Sequence, residues 1–384
     1  MKKICIVTGT RAEYGLLKPL IDRVILEEEF KLQLIVTGMH LSPEFGMTYD
    51  SIVKDGYVNI EKVEILLSSD TAVGISKSMG LAMISFAEVF DRLKPDIVVI
   101  LGDRYEMLAV ATSAMIGKIP IAHIHGGETT EGAIDEAIRH SITKMSFLHF
   151  TSTQIYRKRV IQLGENPKNV YNVGAIGIEN IKNLKLLSKK EIEEKLNLKF
   201  DKKIFLVTFH PVTLDNISSE NQFKNLLLAL DKIEDAKIIF TKANSDTDGR
   251  IINKMIDEYV EKHKENTLAF ISMGQLNYLS AMKYASLVIG NSSSGIIEAP
   301  SFRVPTINIG DRQKGRIQSE TTINCICRYD EIVKAIRYGL SKEFKVKIKD
   351  SINPYGDGIV SSKIIEVIKM RIENIDIKKR FYDL

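Results

Sequence analysis

Two groups of residues carry most of the chemistry available to this chain. The denser group runs His123-Ile124-His125-Gly126-Gly127-Glu128-Thr129-Thr130-Glu131, then Asp135-Glu136, Arg139 and His140. With Gly102-Asp103-Arg104 it brings several carboxylates and imidazoles together. General acid–base chemistry needs titratable groups whose surroundings separate their pKa values, and Asp103, His125, Glu128, Glu131 and Asp135 can supply such pairs. Two readings compete with this one. The same histidines and glutamates can ligate a metal, although their spacing fits no H-E-x-x-H helix, or they can form a structural polar network.

The second group is Gly290-Asn291-Ser292-Ser293-Ser294-Gly295. Small residues let a ligand approach the backbone, a following helix presents free N–H groups, and serine hydroxyls add donors, which suits a phosphate. The run is neither a Walker loop nor a G-x-G-x-x-G fingerprint. Its alternative is a serine-capped helix after a tight turn. Glu298 follows one turn after Ser294, on the same helix face, where a carboxylate can take ribose hydroxyls. Arg312, in Asp311-Arg312-Gln313, either pairs bidentately with a phosphate or is a surface arginine. Arg11, after Gly9-Thr10, can reach a diphosphate from the opposite domain. His210, before Pro211, is either structural or a ligand contact.

Alternating strand and helix signals place these residues, and the alternation marks βαβ units and parallel sheets. Residues 3–8, 32–37, 96–101, 120–124, 147–152 and 170–173 read as strands of a first half, with a helix around 16–25. Residues 203–208, 236–241, 268–271, 287–289 and 304–309 read as strands of a second half, with a helix at 221–230. The run at 96–101 is nearly all apolar and should be buried on both faces. The lysine-rich segment 183–199 reads as the junction. The polar groups fall at the carboxyl ends of strands, where such sheets collect ligands.

A length of 384 residues suggests two domains. A net charge of +4, dispersed along the chain, gives no basic stripe for nucleic acid. Cys5, Cys325 and Cys327 are the only cysteines; they form neither a disulfide framework nor a paired metal motif. No apolar run approaches the roughly 20 residues of a membrane span. The N-terminus enters a strand directly, without a signal core. These features predict a cytoplasmic protein, with no membrane partner.

The motifs Thr8-Gly9-Thr10-Arg11-Ala12-Glu13-Tyr14, Val36-Thr37-Gly38-Met39-His40, Gly102-Asp103-Arg104 and Gly126-Gly127-Glu128 occur in order along the chain. They continue with Asp135-Glu136-Ala137-Ile138-Arg139-His140-Ser141-Ile142-Thr143-Lys144, Phe209-His210-Pro211-Val212-Thr213, Gly290-Asn291-Ser292-Ser293 and Gly310-Asp311-Arg312-Gln313-Lys314-Gly315-Arg316. In these the chain resembles the UDP-N-acetylglucosamine 2-epimerase family, most closely its hydrolysing branch in sialic-type sugar biosynthesis.

The resemblance implies an α/β architecture of the GT-B fold, two Rossmann-like domains with an interdomain cleft. The domains would span residues 1–180 and 181–365, and a C-terminal helix in 366–384 would pack back on the first. UDP would sit mainly on the second domain, with His210, Ser292, Ser293 and Arg312 on phosphate and Glu298 on ribose. Arg11 would contact the diphosphate, and Asp103 and Asp135 match carboxylates assigned to catalysis. Many relatives carry glutamate where this chain has His125, so the acid–base role passes to Glu128, Glu131 or His125 itself. Relatives often have lysine where this chain has Leu16, and the nearest lysine is Lys18. The implied reaction is anti elimination of UDP to a glycal, then hydration to a free manno-configured sugar, with no cofactor and no metal.

Candidate substrates are UDP-N-acetylglucosamine and UDP-2,4-diacetamido-2,4,6-trideoxyglucose (UDP-N,N'-diacetylbacillosamine), which lead to sialic and legionaminic acids. The family also favours a homodimer or homotetramer. A GT-B glycosyltransferase, a non-hydrolysing epimerase and a non-catalytic nucleotide-sugar sensor are the alternatives.

Overall fold

The computed structural model describes every residue except Ser68, Asp70, Glu131, Gly132, 213–216, 244–247 and Asp357. Glu131 and Thr213 therefore lie outside the described residues.

Each apolar run read as a strand forms one. The first sheet contains β1 (Lys2–Thr8), β2 (Phe30–Thr37), β3 (Glu61–Val63), β4 (Ile97–Leu101), β5 (Ile121–Ile124), β6 (Leu148–Thr151) and β7 (Val170–Asn172). Their order is β3-β2-β1-β4-β5-β6-β7, with every pairing parallel. β4 is buried along its whole length, as its unbroken apolar sequence requires. The second sheet contains β8 (Lys203–Thr208), β9 (Ala236–Thr241), β10 (Thr267–Phe270), β11 (Leu287–Gly290), β12 (Thr306–Ile309) and β13 (Thr322–Cys325). It runs β10-β9-β8-β11-β12-β13 and is also wholly parallel.

The sequence reading missed β3 and β13. Both are edge strands, one of them Glu-Lys-Val and the other only partly buried. A strand that needs only one neighbour and one covered face carries little apolar signal.

Alternate residues of each strand serve opposite faces. On β1, Ile4 and Ile6 join a core shared with the Arg11–Leu26 and Ser361–Arg371 helices, while Cys5 and Val7 join one with the Ala72–Leu93 and Tyr105–Ile116 helices. The second sheet divides in the same way, with Phe205 and Val207 in one core and Ile204 and Leu206 in the other.

The Ala72–Leu93 helix corrects the expectation that nothing approaches a membrane span. By length and composition it is apolar enough to cross a bilayer. Its Ile75, Ala82, Phe86, Val89 and Phe90 are instead buried in the first unit's second core.

The chain forms two compact units. The first comprises Met1–Glu128, Asp135–Lys182 and Tyr355–Leu384, and the second comprises Thr129–Ile134 and Asn183–Pro354. The chain thus re-enters the first unit at Tyr355 and not at residue 366. The reason is local bonding: Ala175 N donates to Tyr355 O (2.9 Å). Glu179, 5% exposed, accepts from Ser361 N (2.7 Å) and Ser361 Oγ (2.6 Å) at the start of the returning helix. The segment 183–199, read as the junction, holds the helix Lys189–Leu196, whose Ile192 and Leu196 are core residues of the second unit.

The last residues stay on the first unit. Lys379 Nζ donates to the carbonyls of Lys144 and Ser146 (2.7 Å each), at the C-terminal end of the Asp135–Met145 helix. A cation there complements the helix dipole.

Glu179→Ala removes the acceptor for two buried donors. It should lower unfolding stability by about 1.5–3 kcal/mol, the scale of a hydrogen bond to a charged group, read from urea unfolding at neutral pH. Glu179→Gln, which keeps one acceptor oxygen, should lose less.

Candidate active site

In each sheet the strand order reverses direction once, between β1 and β4 in the first unit and between β8 and β11 in the second. Helices on the two sides of such a point diverge and leave a crevice beyond the carboxyl ends. The turns after β1 and β4 carry Arg11, Asp103 and Arg104; those after β8 and β11 carry His210, Ser292 and Ser293.

In the second unit, Gly290 makes the turn possible. Its φ is +134°, and a β-carbon there would lie 1.9 Å from Thr208 O, so only glycine fits. Asn291 follows, fully buried. Its side chain accepts from His210 N (2.7 Å) and donates to His210 O (2.8 Å), which fixes the backbone of His210. Its carbonyl accepts from Gln313 Nε2 (2.8 Å) and Arg312 Nη1 (3.3 Å). One asparagine therefore gathers the turns after β8, β11 and β12. The sequence reading placed Asn291 in a motif without seeing this role, because a clamp between distant strands has no local signature.

Ser292 caps the next helix and accepts from Ser294 N (3.4 Å). That helix, Ser293–Ile297, has five residues, so its dipole is smaller than a full helix would supply. Ser294 Oγ is hydrogen-bonded to Tyr278 Oη (2.5 Å). Ser292 and Ser293 are partly exposed on the turn, and Glu298, 8% exposed, ends the short helix.

In the first unit, Thr10 and Glu13 form a capping box that starts the Arg11–Leu26 helix. Burial lowers the pKa of Arg11, against the opposing pull of Asp55. Lys18, the nearest lysine, lies 3.1 Å from Tyr57 Oη, 3.4 Å from Asp55 and 3.7 Å from Asp22. It belongs to an ion-pair cluster on the helix flank.

Asp103 is ion-paired with Arg139, whose side chain is 1% exposed. Arg139 Nη1 also donates to Glu128 O (3.0 Å) and Glu136 (3.3 Å). Asp135 begins the same helix one turn earlier and is partly buried. Arg139 thus ties the Asp103 turn, the Glu128 backbone and the Asp135 helix together, a role that sequence spacing did not reveal. His123, also buried, donates from Nε2 to Gly102 O (2.7 Å) and accepts at Nδ1 from Thr143 (3.2 Å). Burial takes its pKa down to about 3 despite the Gly102 bond, so it remains a neutral brace for the Asp103 turn.

His125 has φ +67°, unusual for a residue with a β-carbon. Its Nε2 accepts from Ile176 N (3.2 Å), so the ring proton sits on Nδ1, 3.5 Å from Glu128 Oε1. Ser152 Oγ donates to the same Glu128 oxygen (2.6 Å). Glu128 is 1% exposed, and Ser152 is a partner the sequence did not suggest. Among the described residues, no three histidine, cysteine or acidic side chains converge as a metal site requires.

Two wholly parallel, doubly wound sheets in tandem, each with a polar site at its switch point, define the GT-B class. The chain belongs to the UDP-N-acetylglucosamine 2-epimerase family, whose model matches residues 23–369. It is 46% identical to the GDP/UDP-N,N'-diacetylbacillosamine 2-epimerase (hydrolyzing) of Campylobacter jejuni, covering 100% of this chain and 99% of that one. It is 41% identical to the polysialic acid biosynthesis protein P7 of Escherichia coli, covering 100% and 98%. The fold matches the crystal structure of a UDP-GlcNAc 2-epimerase from Neisseria meningitidis bound to UDP-GlcNAc, with TM-score 0.79 and 19% identity over 96% of this chain and all of that one.

Asn291→Ala should uncouple His210, Arg312 and Gln313. Leaving buried partners unsatisfied costs about 1–3 kcal/mol each. Calorimetry should show UDP affinity reduced more than about tenfold, and thermal unfolding should show a less stable protein.

Proposed function

We propose that this chain is a hydrolysing 2-epimerase of a UDP-linked 2-acetamido sugar, UDP-N,N'-diacetylbacillosamine before UDP-N-acetylglucosamine. It releases UDP and a free manno-configured sugar for sialic- or legionaminic-type acids. Full-length identity of 46% to an enzyme of that description is the observation that carries the reading. The protein acts in the cytoplasm as a homodimer or homotetramer.

The second unit grips the nucleotide. His210, Ser292, Ser293 and Arg312 take phosphate oxygens and Glu298 takes the ribose; Arg11 is a further candidate cation for the diphosphate. The first unit performs the chemistry. Loss of the C2 proton to a carboxylate, with departure of UDP from C1, leaves a C1–C2 double bond. Water then adds its oxygen to C1, and a proton returns to C2 on the opposite face. Two acid–base groups in different surroundings suit these steps. Asp103, 20% exposed and paired with Arg139, and Asp135 at the head of Arg139's helix are one set. Glu128 is the other, oriented by Ser152 and His125. With its Nε2 lone pair directed at Ile176 N–H, His125 acts through Glu128 and does not itself exchange the proton. Glu131 stays a candidate partner for these carboxylates.

Incubation with each UDP-sugar, and with the GDP-linked form, tests the reading. It predicts free UDP and free reducing sugar; a product still linked to UDP would mark a non-hydrolysing epimerase, and demand for a sugar acceptor a glycosyltransferase. Turnover in D₂O should give sugar with one deuterium at C2, and label from H₂¹⁸O should enter C1 and not UDP. Mass spectrometry and proton NMR read both; hydrogen retained at C2 would contradict the elimination.

Asp103→Asn should cut turnover by about 10²–10⁴-fold, the contribution of one acid–base group. UDP affinity should stay within a few-fold by calorimetry. Parallel loss of binding and turnover would make Asp103 structural.

A further inference from the structure

Two carboxyl groups that the proposed reaction does not use lie against one turn, at Gly9, at the switch point of the first sheet. Glu13 lies on the Arg11–Leu26 helix and is 8% exposed; Glu106 lies on the Tyr105–Ile116 helix and is 1% exposed. Glu13 Oε2 accepts from Gly9 N (2.9 Å) and Thr10 N (3.1 Å), so it shapes the turn that carries Arg11. Glu106 stands against the same turn. A β-carbon on Gly9 would fall 2.6 Å from Glu106 Oε1, and one on Gly38 would fall 3.6 Å from it. Glu106 Oε1 accepts from Arg104 Nε (2.7 Å), in the turn that carries Asp103. Its other oxygen, Oε2, is buried with no hydrogen-bond partner among the described residues.

The charges do not balance if both acids are ionised. Among the described residues, Arg104 is the cation bonded to Glu106. Arg11 is the next cation on the helix. His40, on the packed 3₁₀ turn Gly38–Leu41, bonds Thr8 and Thr48 and is kept neutral by burial, with its pKa near 3. Asp103, in the same turn as Arg104, is committed to Arg139. Burial of Glu13 beside a second carboxyl group therefore favours keeping the proton on Glu13.

We infer that Glu13 and Glu106 form a one-proton brace that holds the Arg11 turn against the Asp103-Arg104 turn, and that turnover needs the brace protonated. Burial first, and the neighbouring Glu106 second, push the Glu13 pKa up to about 7 from an ordinary 4.5. The brace is thus intact below neutrality and opens by like-charge repulsion above it. Both residues are positioning residues; neither touches the substrate. The sign of the stability effect follows. A carboxyl whose pKa is raised on folding stabilises fully at low pH, and that stability is lost as pH rises from about 4.5 through about 7.

Glu106→Gln tests this, since a neutral amide keeps the shape and removes the repulsion. Wild-type kcat/KM should fall on the alkaline side of about pH 7, and in Glu106→Gln, where no second charge remains to repel Glu13, that limb should be lost. A purely packing role would leave the limb where it is, and an unmoved limb overturns the inference. This arm rests on the epimerase reading; the next two do not. The wild-type melting temperature should drop between about pH 5 and about pH 7, with a smaller drop in Glu106→Gln. If the variant does not fold, infrared difference spectra of the wild type between about pH 6 and about pH 8 decide the matter. They should show a protonated-carboxyl stretch disappearing, and its absence at the lower pH overturns the brace. Wild-type protein that turns over no nucleotide sugar yet shows this stretch refutes the epimerase reading and leaves the retained proton standing.

Discussion

A parallel sheet delivers all its strands to one side, and this constraint organises the whole chain. Each strand ends where its neighbours end, so every turn that must carry chemistry opens at the same edge. The point where strand order reverses then selects which turns face each other. In the first unit these are the turns after β1 and β4, and in the second those after β8 and β11. Gly290 shows how tightly the sheet dictates the site. The turn after β11 passes so close to Thr208 O that a side chain has no room.

Once turns are brought to a common edge, buried polar side chains fix their spacing. Asn291 holds three turns of the second unit, Arg139 joins three segments of the first, and His123 pins the carbonyl of Gly102. Such groups are retained under burial only when nearly every donor and acceptor is matched, so they specify one arrangement and resist drift. The candidate carboxylates Asp103 and Glu128 therefore stand beside buried side chains that are themselves hydrogen-bonded.

Much of this was legible in the sequence. Apolar runs between glycine-containing turns gave the strands of both sheets, because strands buried on two faces are apolar along their length. The turns themselves stood out by composition, which is why Arg11, Asp103, His210, Ser292 and Arg312 were found as candidates. What was not legible depends on the fold being complete. The edge strands β3 and β13 lack two-sided burial, and the partnership of Asn291 with His210 spans 81 residues. Arg139 stood in the polar group without its partners showing, and Glu106 read as an ordinary helix residue, until the sheet placed them beside Asp103 and Gly9. The return at Tyr355 was hidden because it is set by backbone bonds to Ala175 and by Glu179, not by an apolar pattern.

That return bears on how the protein is made. The first unit begins at Met1, is left at Lys182 and is completed only by Tyr355–Leu384. On the ribosome its first sheet emerges long before the Ser361–Arg371 helix that packs against the Arg11–Leu26 helix in the finished core. At about 5–20 residues per second the wait is on the order of ten seconds. Throughout that interval Leu17, Leu20, Ile21 and Val24 lack their final cover. The intervening second unit is a single run of chain apart from Thr129–Ile134, and it can close while the first still waits. Nascent chains stalled between the two events would be the state that chaperones meet.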